Sequence, residues 1–144
     1  MKNALLLGIV LSLAVLSLST CSGGSSSATV LSTWGGGYVS TFGVKSGTIS
    51  GWKFMSDGTT TGVWKDSSGT TSISINAEYT LDAGTLTIEG SGTATSTTAN
   101  PKTSPYTLSC SGSLGSATGS GTYSTTFSAW NGAADRGTWT ITRQ

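Results

Sequence analysis

The chain has 144 residues, which fits one domain behind a short leader, and only 9% of them are charged, against about 25% in an ordinary domain. Gly is high at 21 residues and Ser plus Thr make up about a third, yet five Trp, four Tyr and three Phe argue for a folded core and against disorder. The formal charge is +1, and without Lys2 in the leader bases and acids balance at six each; no basic patch exists to release counterions from DNA or RNA, which excludes nucleic acid as a partner.

Residues 1–20, MKNALLLGIVLSLAVLSLST, carry one positive charge at Lys2 and then an apolar run from Ala4 to about Leu18. That is the layout of a secretory signal, and the run is short for a bilayer span. Leu18-Ser19-Thr20-Cys21, followed by SGGSSSAT, resembles the lipobox of bacterial lipoproteins, with a Leu three positions before a Cys and a Gly/Ser tether after it. It departs from that pattern in having Thr20 where Gly, Ala or Ser usually precedes the Cys. The resemblance covers the leader and tether and implies lipid on Cys21, a membrane anchor and a place in the cell envelope; ordinary signal cleavage and a secreted soluble protein are the alternative. Residues 21–32 read as a flexible tether, and 33–144 as a single domain.

In the domain, Trp34-Gly35-Gly36-Gly37-Tyr38 lacks the trailing Lys-Ser/Thr of a phosphate loop and reads as a corner or bulge. Gly-Thr then recurs at Gly47, Gly58 and Gly69, a period of eleven that holds a strand of five to seven residues plus a turn, the spacing of an antiparallel meander. Gly-Thr returns at Gly84, Gly92, Gly121 and Gly137, and reads throughout as turn punctuation. Strands are predicted at about 38–43, 48–55, 59–65, 71–81, 85–95, 106–112, 119–130 and 136–143, with Thr97–Pro105 as a long polar connection and no helical stripe after the leader. The fold class is all-β: an up-and-down meander of about eight strands closing into a barrel, with a two-sheet sandwich as the alternative.

Alternation also sets register. Odd positions are apolar in Ile73–Leu81 and even ones in Thr85–Glu89, which pairs Leu81 with Leu86 and Tyr79 with Ile88, and puts Glu78 opposite Glu89 on the outer face. The same logic at Asp57-Gly58 pairs Trp52 with Val63 and Gly51 with Trp64, so that Trp64 points outward and covers a cross-strand glycine. Trp52 and Trp139 are predicted in the core. Trp130 breaks the series Tyr123, Thr125, Phe127, Ala129 and points outward or over the rim. Cys110 reads as a small apolar strand residue. A Cys21–Cys110 disulfide is conceivable only without lipid. Asp57, Asp66, Asp82 and Asp135 all fall in predicted turns, where Asp supports the backbone.

The last two strands, around Ser120–Tyr123 and Gly137–Arg143, resemble the closing hairpin of avidin-like and lipocalin-like (calycin-type) barrels, which end on a core Trp followed by aliphatic and basic residues. The match covers about the final 25 residues. Thr33-Trp34-Gly35 departs from the Gly-x-Trp that opens the first strand in those families, and no ligand contacts transfer by motif.

The chemistry-bearing residues are few. With no His there is no Ser-His-Asp or Cys-His catalysis and no His-based zinc site, and we expect no metal or cofactor. Glu78 and Glu89 form the one carboxylate pair, and hydrolysis there needs a cleft that a flat outer face lacks. The chain is therefore expected not to be an enzyme. The leading expectation is an envelope lipoprotein whose barrel holds a small apolar or amphipathic ligand at one mouth, lined by some of Trp52, Phe54, Tyr79 and Trp139. The other is a surface module that binds glycan or protein through exposed Trp64 and Trp130.

Overall fold

A computed structural model describes residues 27–41 and 46–144; Cys21, the leader and most of the tether lie outside them. Eight strands follow in order: β1 Val30–Ser40, β2 Ser46–Met55, β3 Thr59–Asp66, β4 Thr71–Asp82, β5 Thr85–Ser96, β6 Thr103–Leu114, β7 Thr118–Phe127 and β8 Ala133–Arg143. Each pairs antiparallel with the next, and β1 pairs with β8 from Trp34↔Arg143 to Ser40↔Gly137, closing the barrel. Closure removes the free sheet edge that a sandwich would keep. No described residue is helical.

The first strand is the one misplaced in the sequence reading. It starts at Val30, inside the expected tether, and ends at Ser40. The Gly-rich run is no corner: Trp34–Tyr38 lies in β1, with a register shift between Trp34 and Gly36 where it pairs with β2. The polar connection before β6 is also shorter than expected, because β5 runs to Ser96 and β6 starts at Thr103.

Between β4 and β5 the expected register is found: Glu78↔Glu89, Tyr79↔Ile88 and Leu81↔Leu86. Between β2 and β3 it is not. The pairs are Ser50↔Val63 and Ile49↔Trp64 on one side of an irregularity and Lys53↔Thr61 and Phe54↔Thr60 on the other. The extra residue sits at Gly51, whose φ of 57° is the left-handed conformation a glycine bulge uses. Ser50 and Gly51 are both exposed, so inward parity switches from Ile49 to Trp52 and Phe54. At the turn Phe54 pairs with Thr60, so the even residues of β3 face inside, and β3 keeps that alternation to Asp66. Trp64 is therefore 1% exposed, and the expectation that it faces solvent over Gly51 is corrected.

Aromatic rings do cover cross-strand glycines, but inside the barrel. Tyr38 pairs with Gly47, Tyr106 with Gly92, and Trp139 and Tyr123 with Gly121 and Gly137. These four glycines belong to the Gly-Thr series. Only Gly58, Gly69 and Gly84 of that series have the positive φ of turn residues, so the dipeptide marks turns at some sites and room for a ring at others. A Cβ at Gly121 would stand 2.7 Å from Trp139 Cζ2 and 2.6 Å from Gly112 Cα. Gly121→Ala is therefore expected to cost about 1–3 kcal/mol through overpacking, read as a lower urea midpoint, whereas Gly132→Ala, with nothing within 4 Å of the added carbon, disturbs only its own turn.

Candidate functional site

The barrel interior has two halves. At the end that receives the chain termini it is packed solid. Thr29 and Ser56 exchange hydrogen bonds of 2.9 and 3.0 Å at the β2–β3 turn, and the Gln144 amide donates to Thr33 O at 2.9 Å. Here Trp52 meets Phe54 at 5.6 Å and Trp139 edge-on at 5.8 Å, while Phe54 meets Tyr79 edge-on at 4.8 Å. Trp139 Nε1 donates to Thr122 O at 3.0 Å and Tyr79 OH to Met55 O at 2.9 Å. The four residues expected to line a pocket, Trp52, Phe54, Tyr79 and Trp139, are thus a plug that fills this half.

The opposite half opens into a cavity of about 330 Å³. Its lining comes from the late residues of β1, β3, β5 and β7 and the early ones of β4 and β8. The aromatic part is Tyr38, Trp64, Tyr123, Phe127 and Trp130. Tyr38 stacks on Trp64 at 5.2 Å, and Tyr123 stands edge-on to both, at 5.7 and 5.2 Å. Trp52 backs Trp64 edge-on at 5.6 Å, so the plug is the foundation beneath these rings. Trp130 is half-buried against Phe127 at 5.0 Å and ties the rim together by donating Nε1–H to Pro101 O at 2.7 Å. The over-the-rim placement of Trp130 is found, with its polar atom already engaged.

Two carboxylates share the cavity. Asp66, 7% exposed, accepts from Ser68 Oγ at 2.9 Å, Thr70 Oγ1 at 2.8 Å and the Thr71 amide at 3.1 Å. Burial favours its neutral form, but these donors outweigh it and hold the carboxyl below the usual range. The expectation that Asp66 supports a turn is met. Asp135 differs: it lies within β8, facing the interior, and accepts from Tyr123 OH at 2.9 Å and from the Ser40 hydroxyl. Burial, then the fields of Asp66 and Asp135, push the Tyr38 phenol up to about 12. Burial, reinforced by the hydrogen bond to Asp135, raises Tyr123 as well. No Lys or Arg lines the cavity among the described residues.

Among the described residues three buried side-chain polar atoms have no hydrogen-bond partner: Trp52 Nε1 in the plug, and Trp64 Nε1 and Thr125 Oγ1 on lining residues, the last on a side chain only 2% exposed. Buried polar groups are rarely left so, because each forfeits its water without replacement.

The other candidates stay apart from this cavity. Glu78 and Glu89 face each other on the exposed outer surface, where Ser109 Oγ donates to Glu89 at 2.7 Å. Cys110 is a free thiol 1% exposed, and burial, with the charge of Glu89, pushes it up to about 12. No group of three or more His, Cys, Asp or Glu that could hold a metal is found among the described residues. Sequence reasoning missed Tyr38, Tyr123 and Asp135 as cavity residues. The available signal was the alternation Ala133, Asp135, Gly137, Trp139, Ile141, which runs straight through the polar stretch that reads as a loop.

No protein-family model, no curated protein and no solved structure matches the chain.

The shifted groups set the pH range of stability. Tyr38, Tyr106 and Tyr123 have folded pKa values above the ordinary 10.0, so the folded state holds protons that the unfolded chain releases. Their contribution is complete below pH 10 and is lost as pH rises through the folded values. Asp57 and Asp66 are depressed below 3.8; their contribution is complete above that pH and is lost as pH falls through the lower folded values. The Cys110 thiol, raised from 9.0 to about 12, acts in the same direction as the tyrosines, so the urea midpoint is expected to be level between pH 3.8 and 9.0 and to fall beyond each. Phenolate absorbance is expected to show Tyr38, Tyr106 and Tyr123 ionising above 10, and their titrating at 10 in the folded protein would contradict the packing described.

Proposed function

We propose that the protein is a non-enzymatic, exported barrel of the calycin type, anchored to the bacterial cell envelope by lipid on Cys21, which holds one small apolar or amphipathic ligand in its mouth. The observation that carries this reading is the aromatic cavity of about 330 Å³ with unpartnered Thr125 Oγ1 and Trp64 Nε1 on its lining residues. That volume is at the small end of those that hold small molecules, and eight strands enclose room for one. Ligand groups would complete the two orphaned atoms.

The anchor and the cavity are geometrically compatible. Thr29 lies at the plugged end, so the segment that would carry the anchor joins the barrel at the end opposite the mouth. The absence of His and the exposed setting of Glu78 and Glu89 support a binder over a hydrolase, and the two carboxylates that do share a cavity, Asp66 and Asp135, are each committed as acceptors to neutral hydroxyl and amide donors. The reading as a glycan- or protein-binding surface module loses Trp64 to the interior and retains Trp130 only in part.

Two measurements on protein purified from its own host test this. Intact mass is expected to show an acylated chain starting at Cys21; an unacylated species, or a Cys21–Cys110 disulfide, contradicts the anchor. The neutral fluorophore N-phenyl-1-naphthylamine is expected to bind once per barrel. Ala133→Trp, at the rim beside Phe127, should weaken it about tenfold (about 1.4 kcal/mol) without lowering the melting temperature. No binding, or equal binding by a folded Ala133→Trp protein, contradicts the pocket.

A further inference from the structure

The chemistry of the cavity narrows the ligand class, on the reading that the mouth is a ligand site. A purely apolar ligand would want apolar walls, yet Asp66 and Asp135 both line this space. The hydrogen bonds to Asp66 from Ser68, Thr70 and Thr71 favour its ionised form. Tyr123 OH and the Ser40 hydroxyl donate to Asp135. All of these are neutral donors, which orient the carboxylates and bring no positive charge to them. No cationic side chain lines the cavity among the described residues. The rings of Tyr38, Trp64, Tyr123, Phe127 and Trp130 line the same space, and aromatic faces attract cations through their quadrupole.

The geometry points to a small organic cation as the ligand: an ammonium group held by Asp66, Asp135 and the neighbouring aromatic faces, with its apolar body against Ile73, Phe127 and Trp130. Three further features agree. Thr125 Oγ1, buried and unpartnered, adds an uncommitted oxygen to the lining. Tyr38 registers the field of both carboxylates at one place in the cavity. The cavity holds fewer acidic groups than a metal cage needs: hard divalent ions take six or more oxygens, usually several of them carboxylate, and only two carboxylates line this space.

The test compares three compounds of one shape by calorimetry on the intact protein: benzyltrimethylammonium, its neutral isostere neopentylbenzene, and the anion phenylmethanesulfonate. The cation is expected to bind at least tenfold tighter than the neutral compound, and the anion not measurably. Asp135→Asn should remove most of the cation's advantage over neopentylbenzene, with a retained cooperative melting transition certifying that the variant is folded. Asp66→Asn is the less informative variant, because Asp66 also braces the β3–β4 turn. Equal binding of cation and neutral isostere overturns the charge inference but keeps the apolar pocket. Displacement of the cation by millimolar calcium assigns the carboxylates to a metal and overturns it too. Failure of all three compounds to bind overturns the pocket itself.

Discussion

The structure depends on one steric bargain: four wide rings fit inside a narrow eight-stranded barrel because one cross-strand partner of each is a glycine. Tyr38 over Gly47, Tyr106 over Gly92, Tyr123 over Gly137 and Trp139 over Gly121 are all direct cross-strand pairs. Each buried ring contributes about 4–6 kcal/mol of gross transfer free energy, from 150–250 Å² of apolar surface at about 25 cal/mol per Å². An eight-stranded barrel is only just wide enough for side chains to fill. Without the glycines the rings would be pushed off their rotamers or the strands apart. The weakly charged, Gly- and Thr-rich composition follows from this: small residues opposite rings inside, β-branched hydroxyl residues on the solvated face.

The bulge at Gly51 sets which residues of β2 face the core. By adding one residue it puts Ile49 on the same side as Trp52 and Phe54, opposite Trp64 of β3, which faces inward from the turn pairing Phe54↔Thr60 onward. Trp52 then stands edge-on between Trp64 and Trp139. Below it the barrel is full. Above it Trp64 and the tyrosines form a floor, and the remaining volume is open.

Where alternation runs unbroken, the sequence is enough to set the pairing. Ile73–Leu81 and Thr85–Glu89 give the β4–β5 register to the residue, including Glu78 against Glu89. The reading fails where a local irregularity resets parity. In β2 the apolar positions change from odd Ile49 to even Trp52 and Phe54, a visible break that the simple hairpin rule ignores. In β1, Trp34 to Tyr38 contains three glycines and little alternation, so its extent could not be read. The cavity was harder still, because its position depends on which of several aromatics meet end to end in space. The residues first assigned to it, Trp52, Phe54, Tyr79 and Trp139, were correctly placed inside but belong to the plug. Asp135 was hidden by the polar sequence around it, and only its β8 parity turns it inward.

The division of the tryptophans between plug and mouth is the claim on which both the fold account and the functional reading rest, and their indole N–H signals report it directly. Saturating the protein with benzyltrimethylammonium, or with N-phenyl-1-naphthylamine if no cation binds, is expected to shift the Trp64 and Trp130 signals. Those of Trp52 and Trp139, and of Trp34, whose Nε1 donates to Ser32 at 2.8 Å, are expected to stay in place. Movement of the Trp52 and Trp139 signals with Trp64 unmoved would contradict the account.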